Sequence, residues 1–538
     1  MAAIIYNGRI YLGRENFCQA LIIEGGRIVK TGSSKELLGE MSGAEKTEKI
    51  DASGALVLPA FNDSHMHLVS TGQRAGAIEC AGAKSIEDVI SRGRELINKL
   101  KPPLGTYVFG EGVNPDLFSP EKKREPCRED LDKISTEHPV ILNRHCRHIM
   151  YCNSLALKLA GISESAPEVE GGSIKKDKNG KPTGVLKENA IKLIYKVIPA
   201  QSKEERKGFL RLAMKKAHSL GISACSSNDS NGNNFEQILE TYTDIYDESQ
   251  REGLPALRVT MQCGISDKEA ALDRMLARGR TTLWEDRHWG TFLKIGSLKL
   301  FADGSLGGHT AWMRQPYRDK PKSIGLPVMD ESSLNHVVKK AADSSMQVLI
   351  HAIGDAALDA VLGVFENVTK PGKNPQRHGI IHCQISSPEL LERMARNQIL
   401  ALVQPIFLSD DIHILESRVG PELASTSYAW ASMQRLGVPV TYSTDAPISP
   451  LDPLLNIQWA VLHHNPGERV DVYSAVDAYT TVSAFSCFDE ASLGRITPGY
   501  LADMVFLDRD IFTIPPEDIH KTRVLRTICA GKTVYQST

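Results

Sequence analysis

The stretch PAFNDSHMHL, residues 59–68, ends the apolar run ALVLPAF and places His65 and His67 two positions apart. Side chains at positions i and i+2 of a strand lie on the same face, so two imidazoles at a strand end enter one space. This spacing favours a metal chelate. Two hydrogen-bonded surface histidines give the same local pattern, so the stretch alone leaves both interpretations open.

Further strand-like apolar runs follow along the chain, separated by segments with helical spacing such as residues 331–345 and 387–398. Together with the first run they make eight βα units. Such alternation is typical of a parallel sheet, and eight units predict an α/β protein with a (β/α)8 TIM barrel. The later runs are residues 221–229, 256–262, 296–304, 346–355, 378–384, 399–407 and 438–446.

The two ends of the chain differ from this pattern. Residues 1–57 and 490–538 contain short strands and tight turns, and each segment is too small to form its own core. We therefore expect them to pack together as one satellite β domain, with the barrel in residues 58–489. The interval from about 70 to 205 is too long for one crossover, so it predicts a large insertion after barrel strand 1.

Composition points to small-molecule chemistry. Lysine and arginine number 63 against 65 aspartate and glutamate residues, a balance that favours neither nucleic acid nor an anionic membrane as partner. The start lacks the pattern of a signal peptide, and no apolar stretch is long enough to span a membrane. Ten cysteines without a C-x-x-C pair suit a reducing compartment. We expect a soluble, cytoplasmic protein.

Polar residues end several of the predicted barrel strands. Barrel enzymes place their chemistry at the carboxyl ends of the strands, so these side chains should converge at one rim. Each alone has a plain interpretation as a core histidine, a snorkelling lysine or a helix cap. Together they favour a metal site, and they are His65, His67, Lys299, Asp303, His351, His382 and Asp445.

Imidazole and carboxylate groups bind divalent cations such as zinc, and a catalytic site keeps one position for water. Water bound in this way has a pKa near 7. Asp445 can then accept its proton and deliver it to a leaving nitrogen. A buried Lys299 can react with carbon dioxide to form a carbamate that bridges two ions. Zinc is the default, as one or two ions, with manganese and iron as alternatives.

Longer stretches resemble the amidohydrolase superfamily, and more narrowly the amidohydrolase family 3 branch that includes N-substituted formamide deformylases. The strand-by-strand order of H-x-H, Lys, His, His and Asp is similar to the superfamily pattern. The stretches that carry the narrower resemblance are PAFNDSHMHL, GGSIKKDKNGKPTGVLKENA, LKLFADGSLGGHTA, HAIGD, IIHCQ, VQPIFLSDD, STDAPISPLDPLLNIQWAV and LGRITPGYLADMVFLDRD.

This resemblance implies a barrel with a composite small β-sandwich domain from both termini, and hydrolysis of a C–N bond by metal-activated water. It implies that Asp445 is the proton shuttle and a metal ligand, and that Lys299 takes the bridging position. The four histidines of the predicted metal site would be the remaining ligands. Residues Asp303, Ser305 and Gln404 would line the substrate pocket.

Three further residues are candidates for substrate binding. Arg147 and His148 lie where similar sequences have a different motif, and they belong either to a basic surface turn or to a loop over the barrel mouth. Arg147 suits a carboxylate, because its guanidinium can bind both oxygens. Trp312 supplies either an apolar pocket wall or core packing.

The function that these observations favour is a metal-dependent amidohydrolase acting on a non-peptide C–N bond of a small molecule. The same scaffold also suits a deaminase of an aminated heterocycle, but Lys299 favours amide hydrolysis because deaminases of the superfamily commonly lack it. A non-catalytic scaffold is a third alternative, and it is disfavoured because the ligands and the shuttle are all present. The oligomeric state stays open, with a homodimer as one expectation.

Overall fold

The computed structural model describes residues 2–41, 47–144, 149–166, 169, 171–230, 232–265 and 269–537. The chain forms two compact units. Unit 1 comprises Met1–Ser70 and Ala213–Thr538, and unit 2 comprises Thr71–Leu212. Among the described residues, no helix has the length and apolar character needed to cross a membrane.

Eight parallel strands of unit 1 form one curved sheet, in which each strand pairs with its neighbour along the path. They are β1 (Phe61–Met66), β2 (Ile222–Ser230), β3 (Arg258–Gly264), β4 (Gly290–Phe301), β5 (Gln347–Ala352), β6 (Gly379–His382), β7 (Leu400–Val403) and β8 (Val440–Tyr442). The strand Thr282–Asp286 pairs antiparallel with β4.

The first and last strands of this sheet meet just beyond their carboxyl ends. The backbone N–H of Asp445 donates to the carbonyl of His65 at 2.9 Å, and the N–H of His67 donates to the carbonyl of Ala446 at 2.8 Å. The sheet is therefore a nearly closed barrel. This confirms the α/β class and the eight-stranded parallel barrel predicted from the sequence.

Helices cover the outside of a parallel barrel because its strands are buried on both faces. The helix Pro388–Arg396 shows how the sequence sets these elements: Ser387 caps its first turn and proline occupies its first position. Helices of unit 1 are Ser34–Glu40, Phe235–Glu252, Glu269–Arg278, Glu331–Asp343, Asp355–Glu366, Pro388–Arg396, Leu408–Asp411, Leu415–Ser425, Trp430–Arg435, Pro453–Val461, Val472–Tyr479 and Thr481–Ser486, with 3-10 turns Pro405–Phe407, Pro466–Glu468 and Pro516–Lys521.

Segments from both chain ends form two further sheets in unit 1. One sheet contains Ala2–Tyr6, Ala20–Glu24, Arg27–Gly32 and Thr47–Asp51, and the other contains Arg9–Gly13, Asn16–Cys18, Leu56–Pro59, Met504–Leu507, Val524–Cys529 and Lys532–Gln536. A single apolar cluster includes Ile5 and Ile23 from the first sheet and Met504 and Phe506 from the second. The two ends of the chain therefore share one core.

Unit 2 contains a six-stranded mixed sheet with apolar clusters on both faces. Neighbouring residues alternate between the clusters, as Ile141 and Leu142 do, because successive side chains of a strand point to opposite faces. Its strands are Ile78–Glu79, Val108–Val113, Val140–Arg144, Ile149–Cys152, Gly172–Lys176 and Pro182–Glu188. Its helices and 3-10 turns are Ile86–Leu100, Pro115–Leu117, Pro120–Lys122, Arg128–Asp132, Ser154–Leu159 and Ile191–Tyr195, and the chain passes between the units within Leu68–Ala75 and Lys203–Ser219.

Candidate metal centre

Three predicted site residues form a tight cluster where β1 and β8 end. The ligand atoms of His65, His67 and Asp445 all lie within 4.8 Å of one another. The Asp445 Oδ1 atom is 3.4 Å from Nε2 of His65 and 3.1 Å from Nε2 of His67. His65 and Asp445 are buried, whereas the His67 side chain keeps 26% of its surface exposed. The cluster therefore has one side open toward solvent.

The backbone at two of the site residues adopts the left-handed conformation. Asp445 has a φ of 53° and His382 a φ of 82°. Residues other than glycine rarely occupy this region, and such strain persists only where the surrounding structure imposes it. At Asp445 the imposing contact is the hydrogen bond from its N–H to the carbonyl of His65.

The two histidines of the H-x-H pair have their rings fixed from behind. Nδ1 of His65 lies 2.5 Å from Oε1 of Gln262, whose own Nε2 donates to the carbonyl of Ser64 at 2.9 Å. Nδ1 of His67 lies 2.8 Å from the carbonyl oxygen of Asn228. Because both partners are acceptors, each Nδ1 donates its proton away from the cluster, and each Nε2 is directed toward Asp445.

His382, at the end of β6, is oriented in the same way. Its Nδ1 lies 2.7 Å from Oε1 of Gln404, and the amide nitrogen of Gln404 donates to Leu402 and to Ser443 at 3.0 and 2.7 Å. The ring centroid of His382 is 5.9 Å from that of His65. Gln404 was predicted to line the substrate pocket. In the structure its amide oxygen bonds the ring of His382, and its amide nitrogen bonds Leu402 and Ser443.

His351, at the end of β5, is turned toward the loop that follows β4. Its Nε2 lies 2.9 Å from the carbonyl oxygen of Gly304, so Nε2 carries the proton and Nδ1 keeps the lone pair. The ring centroids of His351 and His382 are 4.4 Å apart. The structure thus brings the fourth histidine beside the third.

Asp303 organises the same loop. Its carboxylate accepts hydrogen bonds from the backbone N–H groups of Trp312, Ile353 and Gly354 at 2.9, 3.0 and 2.8 Å. Burial raises the pKa of Asp303 to about 7, although these hydrogen bonds oppose the shift. A carboxylate bonded to three backbone groups holds the loop in place beside His351.

Lys299, on β4, is almost fully buried. Its Nζ lies 3.8 Å from the ring centroid of Phe301 and 3.4 Å from the carbonyl oxygen of Leu300. Burial lowers the pKa of Lys299 to about 7, and the charges of Asp445 and Asp303 oppose this shift. A substantial share of this amine is therefore neutral at pH 7.

Burial also keeps most of the site histidines neutral. It lowers the pKa values of His65 and His382 well below the usual range, and that of His351 to about 3, with nearby charges adding to the effect. At His67 burial acts in the same direction, but the Asp445 carboxylate outweighs it and the pKa rises. Neutral imidazole is the form that binds a metal.

Two buried residues of the site lay outside the sequence prediction. Asp63 accepts hydrogen bonds from the N–H and the hydroxyl of Thr444 at 3.1 and 2.6 Å, and thereby joins β1 to the segment after β8. Gln262 orients His65. Its position in the run that predicted β3 offered a signal, because a glutamine in an apolar strand needs a partner.

The remaining predicted substrate residues are less closely associated with the cluster. Ser305 is exposed, and its hydroxyl accepts a hydrogen bond from the N–H of Gly308 at 3.2 Å. Trp312 is half-buried, and its backbone rather than its ring contacts Asp303. Arg147 and His148 lie outside the described residues.

A parallel barrel with buried imidazoles and a carboxylate at the carboxyl ends of its strands has the architecture of a barrel enzyme. The sequence profile of the amidohydrolase family matches residues 48–535. The chain belongs to the amidohydrolase family, which confirms the resemblance drawn from its motifs.

Relatives align along almost the whole chain. It is 34% identical over 556 residues to YtcJ of Bacillus subtilis (strain 168), which is provisionally named an amidohydrolase. The alignment covers 100% of both chains. It is 24% identical over 550 residues to the N-substituted formamide deformylase of Arthrobacter pascens, covering 99% of this chain and 97% of the relative. The crystal structure of an uncharacterized metal-dependent hydrolase from Pyrococcus furiosus superposes with a TM-score of 0.76 at 30% identity, covering 95% of this chain and 100% of the other.

Proposed function

We propose that this chain is a metal-dependent hydrolase that cleaves a non-peptide, amide-type C–N bond of a small molecule. The observation that carries the proposal is the cluster of potential metal-ligand atoms from His65, His67 and Asp445. Nε2 of His65 and Nε2 of His67 lie 3.4 and 3.1 Å from Oδ1 of Asp445, and the three ligand atoms lie within 4.8 Å of one another. Two imidazole nitrogens and a carboxylate oxygen at this spacing make a chelating set for a divalent cation.

The donor set fits a divalent metal. Imidazole nitrogens and a carboxylate oxygen suit zinc, and the acceptor groups behind the rings are the partners that metal-binding histidines usually have. We assign His65, His67, His351, His382 and Asp445 to the ligand set, for one or two ions. A bound divalent cation acts as a Lewis acid and lowers the pKa of a water molecule toward neutrality.

Lys299 is the proposed bridging residue of this set. It is buried at the end of β4, where the lowered pKa leaves much of the amine neutral. A neutral amine is the form that adds carbon dioxide, and the resulting carbamate would bring a negative charge to the site. Carboxylated Lys299 is therefore part of the proposal.

Asp445 is the proposed proton shuttle. It lies between the two histidines of β1, and its backbone is fixed by the hydrogen bond to His65. A carboxylate so placed can accept a proton from the attacking water and release it to the leaving nitrogen. Asp303 and Gln404 support the site by holding the loop after β4 and the ring of His382, respectively.

The residues that bind the substrate are proposed from the sequence. We retain Ser305 and Trp312, which flank the loop held by Asp303, together with Arg147 and His148. The amide-type specificity is supported by the relative named as an N-substituted formamide deformylase.

The domain organisation belongs to the same proposal. We assign residues 1–57 and 490–538 to a composite β-sandwich, on the support of the core that their two sheets share. Residues 58–489 form the catalytic barrel, and the interval from about 70 to 205 is its insertion, consistent with the separate core of unit 2.

The function is tested by a substrate screen with zinc-reconstituted protein. N-formyl, N-acyl, carbamoyl and cyclic amides are supplied, and the release of amine and of ammonia is measured separately. We expect amine release or ring opening, at a rate that falls when a chelator removes the metal. Turnover that yields only ammonia from aminated heterocycles would instead identify a deaminase, and activity that is insensitive to metal removal would contradict the proposal.

A further inference from the structure

The peptide group between Asn228 and Asp229, near the carboxyl end of β2, holds the ring of His67. Its carbonyl oxygen lies 2.8 Å from Nδ1 of that ring. On one side the peptide is anchored by the Asn228 side chain, whose Nδ2 donates to the carbonyl of Gln262 at 2.7 Å. On the other side the anchor is the carboxylate of Asp229. The direction of the His67 ring therefore depends on how Asp229 is held.

The Asp229 carboxylate bonds the backbone just after the H-x-H pair. Its Oδ1 accepts from the N–H of Val69 at 2.8 Å. The preceding N–H, that of Leu68, donates to the hydroxyl of Ser227 at 2.8 Å. Both donors belong to the first turn of the helix Leu68–Ala75, where backbone N–H groups have no partner within the helix. The end of β2 thus fixes the two residues that follow the pair.

Two hydroxyls hold the Asp229 carboxylate in turn. Those of Tyr242, on the helix Phe235–Glu252, and of Ser227 each donate to Oδ2 at 2.6 Å, and both residues are buried. With the N–H of Val69 on the other oxygen, the carboxylate accepts three hydrogen bonds. Hydrogen bonds to an ionised acceptor are among the stronger ones in proteins, so the direction of this side chain is set by the fold.

A carboxylate at the start of a helix can also serve as a cap alone, and Asp132 provides such a case. It accepts from the N–H and the hydroxyl of Ser154 at 2.9 and 2.6 Å, at the start of the helix Ser154–Leu159. Asp132 belongs to unit 2, whereas the metal-ligand cluster belongs to unit 1. Asp229 differs from it because its own peptide group bonds a proposed metal ligand.

We infer that Asp229 is a positioning residue of the metal centre, which sets the direction of His67 through the peptide group that it shares with Asn228. The inference rests on the proposed function, since it concerns a ligand of the proposed metal. Nε2 of His67 lies 3.1 Å from Oδ1 of Asp445, and a displaced Nδ1 partner would let the ring turn away from it. The loss then falls on metal affinity, because outer hydrogen-bond partners keep ligating rings in direction.

The test measures zinc affinity by competition with a chromophoric chelator, in variants shown to be folded by circular dichroism. We expect Asp229→Ala to bind zinc about 10- to 100-fold more weakly than the wild type. Asp229→Asn should stay close to the wild type, because its amide oxygen can accept the N–H of Val69 and its amide nitrogen can donate to the two hydroxyl oxygens. Asp132→Ala is the matched control and should leave the affinity unchanged, since it loses only a helix cap.

Cobalt in place of zinc adds a readout of the ligand directions, because its visible absorption depends on coordination geometry. We expect altered bands in Asp229→Ala and wild-type bands in Asp229→Asn and Asp132→Ala. If Asp229→Ala does not fold, Tyr242→Phe takes its place. This variant keeps the buried ring and removes only a hydroxyl that holds the carboxylate, so zinc affinity should fall in the same direction.

The outcomes separate this inference from the proposed function. Wild-type affinity and wild-type cobalt bands in Asp229→Ala, or in Tyr242→Phe if the first variant does not fold, overturn the inference alone. Equal losses of affinity in Asp229→Ala and Asp132→Ala overturn it as well, since lost stability would then explain both. An Asp229→Asn variant as weak as Asp229→Ala would show that the hydrogen bonds are not the cause. Wild-type protein that binds neither zinc nor cobalt contradicts the proposed function, and the inference with it.

Discussion

Asp445 is proposed to combine two tasks, metal binding and proton transfer. Its carboxylate is held against His65 and His67 by a left-handed backbone, and one of its oxygens lacks a well-aligned donor among the described residues. A carboxylate with a spare lone pair in a buried position is suited to move a proton as well as to bind a cation. The two tasks can be separated experimentally.

We expect Asp445→Asn to retain most of the metal and to lose turnover by about three orders of magnitude, because general base catalysis contributes roughly 10² to 10⁴-fold. The histidine ligands remain in this variant, but its amide cannot accept the proton. Metal content by elemental analysis and kcat on the best substrate of the screen measure the two effects. Asp343→Asn, an exposed position at the end of a helix, is the control. Near-normal turnover by Asp445→Asn would refute the shuttle assignment.

Gln262 lies one hydrogen bond away from the proposed metal ligands. Its amide oxygen fixes the tautomer and the direction of the His65 ring. We expect Gln262→Leu to weaken metal affinity about 10- to 100-fold, the usual effect of losing an outer hydrogen bond of a metal-binding histidine. Competition with a chromophoric chelator measures the affinity. Gln250→Leu is the control, since Gln250 is exposed and bonds Asp286, and equal affinities in the two variants would remove Gln262 from the site.

The start of the helix Asp355–Glu366 is packed tightly against the loop after β4. A Cβ on Gly354 would lie 2.0 Å from the carbonyl oxygen of Trp312. The loop and the helix therefore fit only with glycine at this position. The same contact region contains the Gly354 N–H that bonds Asp303.

We expect Gly354→Ala to destabilise the protein by roughly 1–3 kcal/mol, the range for overpacking, and to lower activity because the loop beside His351 shifts. Gly363→Ala is a matched control within the same helix, since a Cβ there meets nothing within 4 Å. Alanine in a helix interior should stabilise by about 0.5–1 kcal/mol. Denaturant unfolding of both variants checks the contrast, and similar losses of stability in both would contradict it.

His378 connects two strands at the amino end of the barrel. Its Nδ1 accepts the backbone N–H of Val348 at 3.1 Å, so β5 and β6 are joined through a neutral ring. Burial lowers the pKa of His378 to about 4. His378 precedes β6, whereas His382 ends this strand at the candidate site.

This ring makes stability depend on pH. The unfolded chain has a histidine pKa near 6.5 and binds a proton first, so the stabilisation is complete above about pH 6.5 and is lost as the pH falls toward 4. We expect His378→Asn, whose amide oxygen can accept the same N–H, to reduce the slope of unfolding free energy against pH by up to about 1.4 kcal/mol per unit in that window. Identical slopes for variant and wild type would show that His378 does not titrate on unfolding.

For the whole molecule, the sequence predicted the barrel well because several strands, such as β5 and β7, lie in apolar runs that polar residues follow. Strand bounds were harder to predict. The run at residues 296–304 corresponds to β4, which begins earlier, at Gly290, because its first half pairs with Thr282–Asp286. That pairing depends on a hairpin whose polar, alternating residues resemble a loop in the sequence.

The candidate site was predictable only in part for a similar reason. Strand ends identify which side chains reach the rim, so His65, His67 and Asp445 could be named together. Which groups hold them depends on the register between strands that are distant in sequence, as with Gln262 and His65, which are 197 residues apart. No local pattern specifies such a contact, and the roles of Asp63 and Gln404 needed the fold.

The central claim is that His65, His67 and Asp445 bind a divalent ion. The most direct measurement is anomalous scattering from crystals of zinc-loaded protein, recorded on both sides of the zinc absorption edge. We expect a peak bounded by the two Nε2 atoms and the Asp445 carboxylate, at zinc-to-ligand distances of about 2.0–2.2 Å. A peak only at some other place, or none at this cluster in protein that is active, would contradict the account.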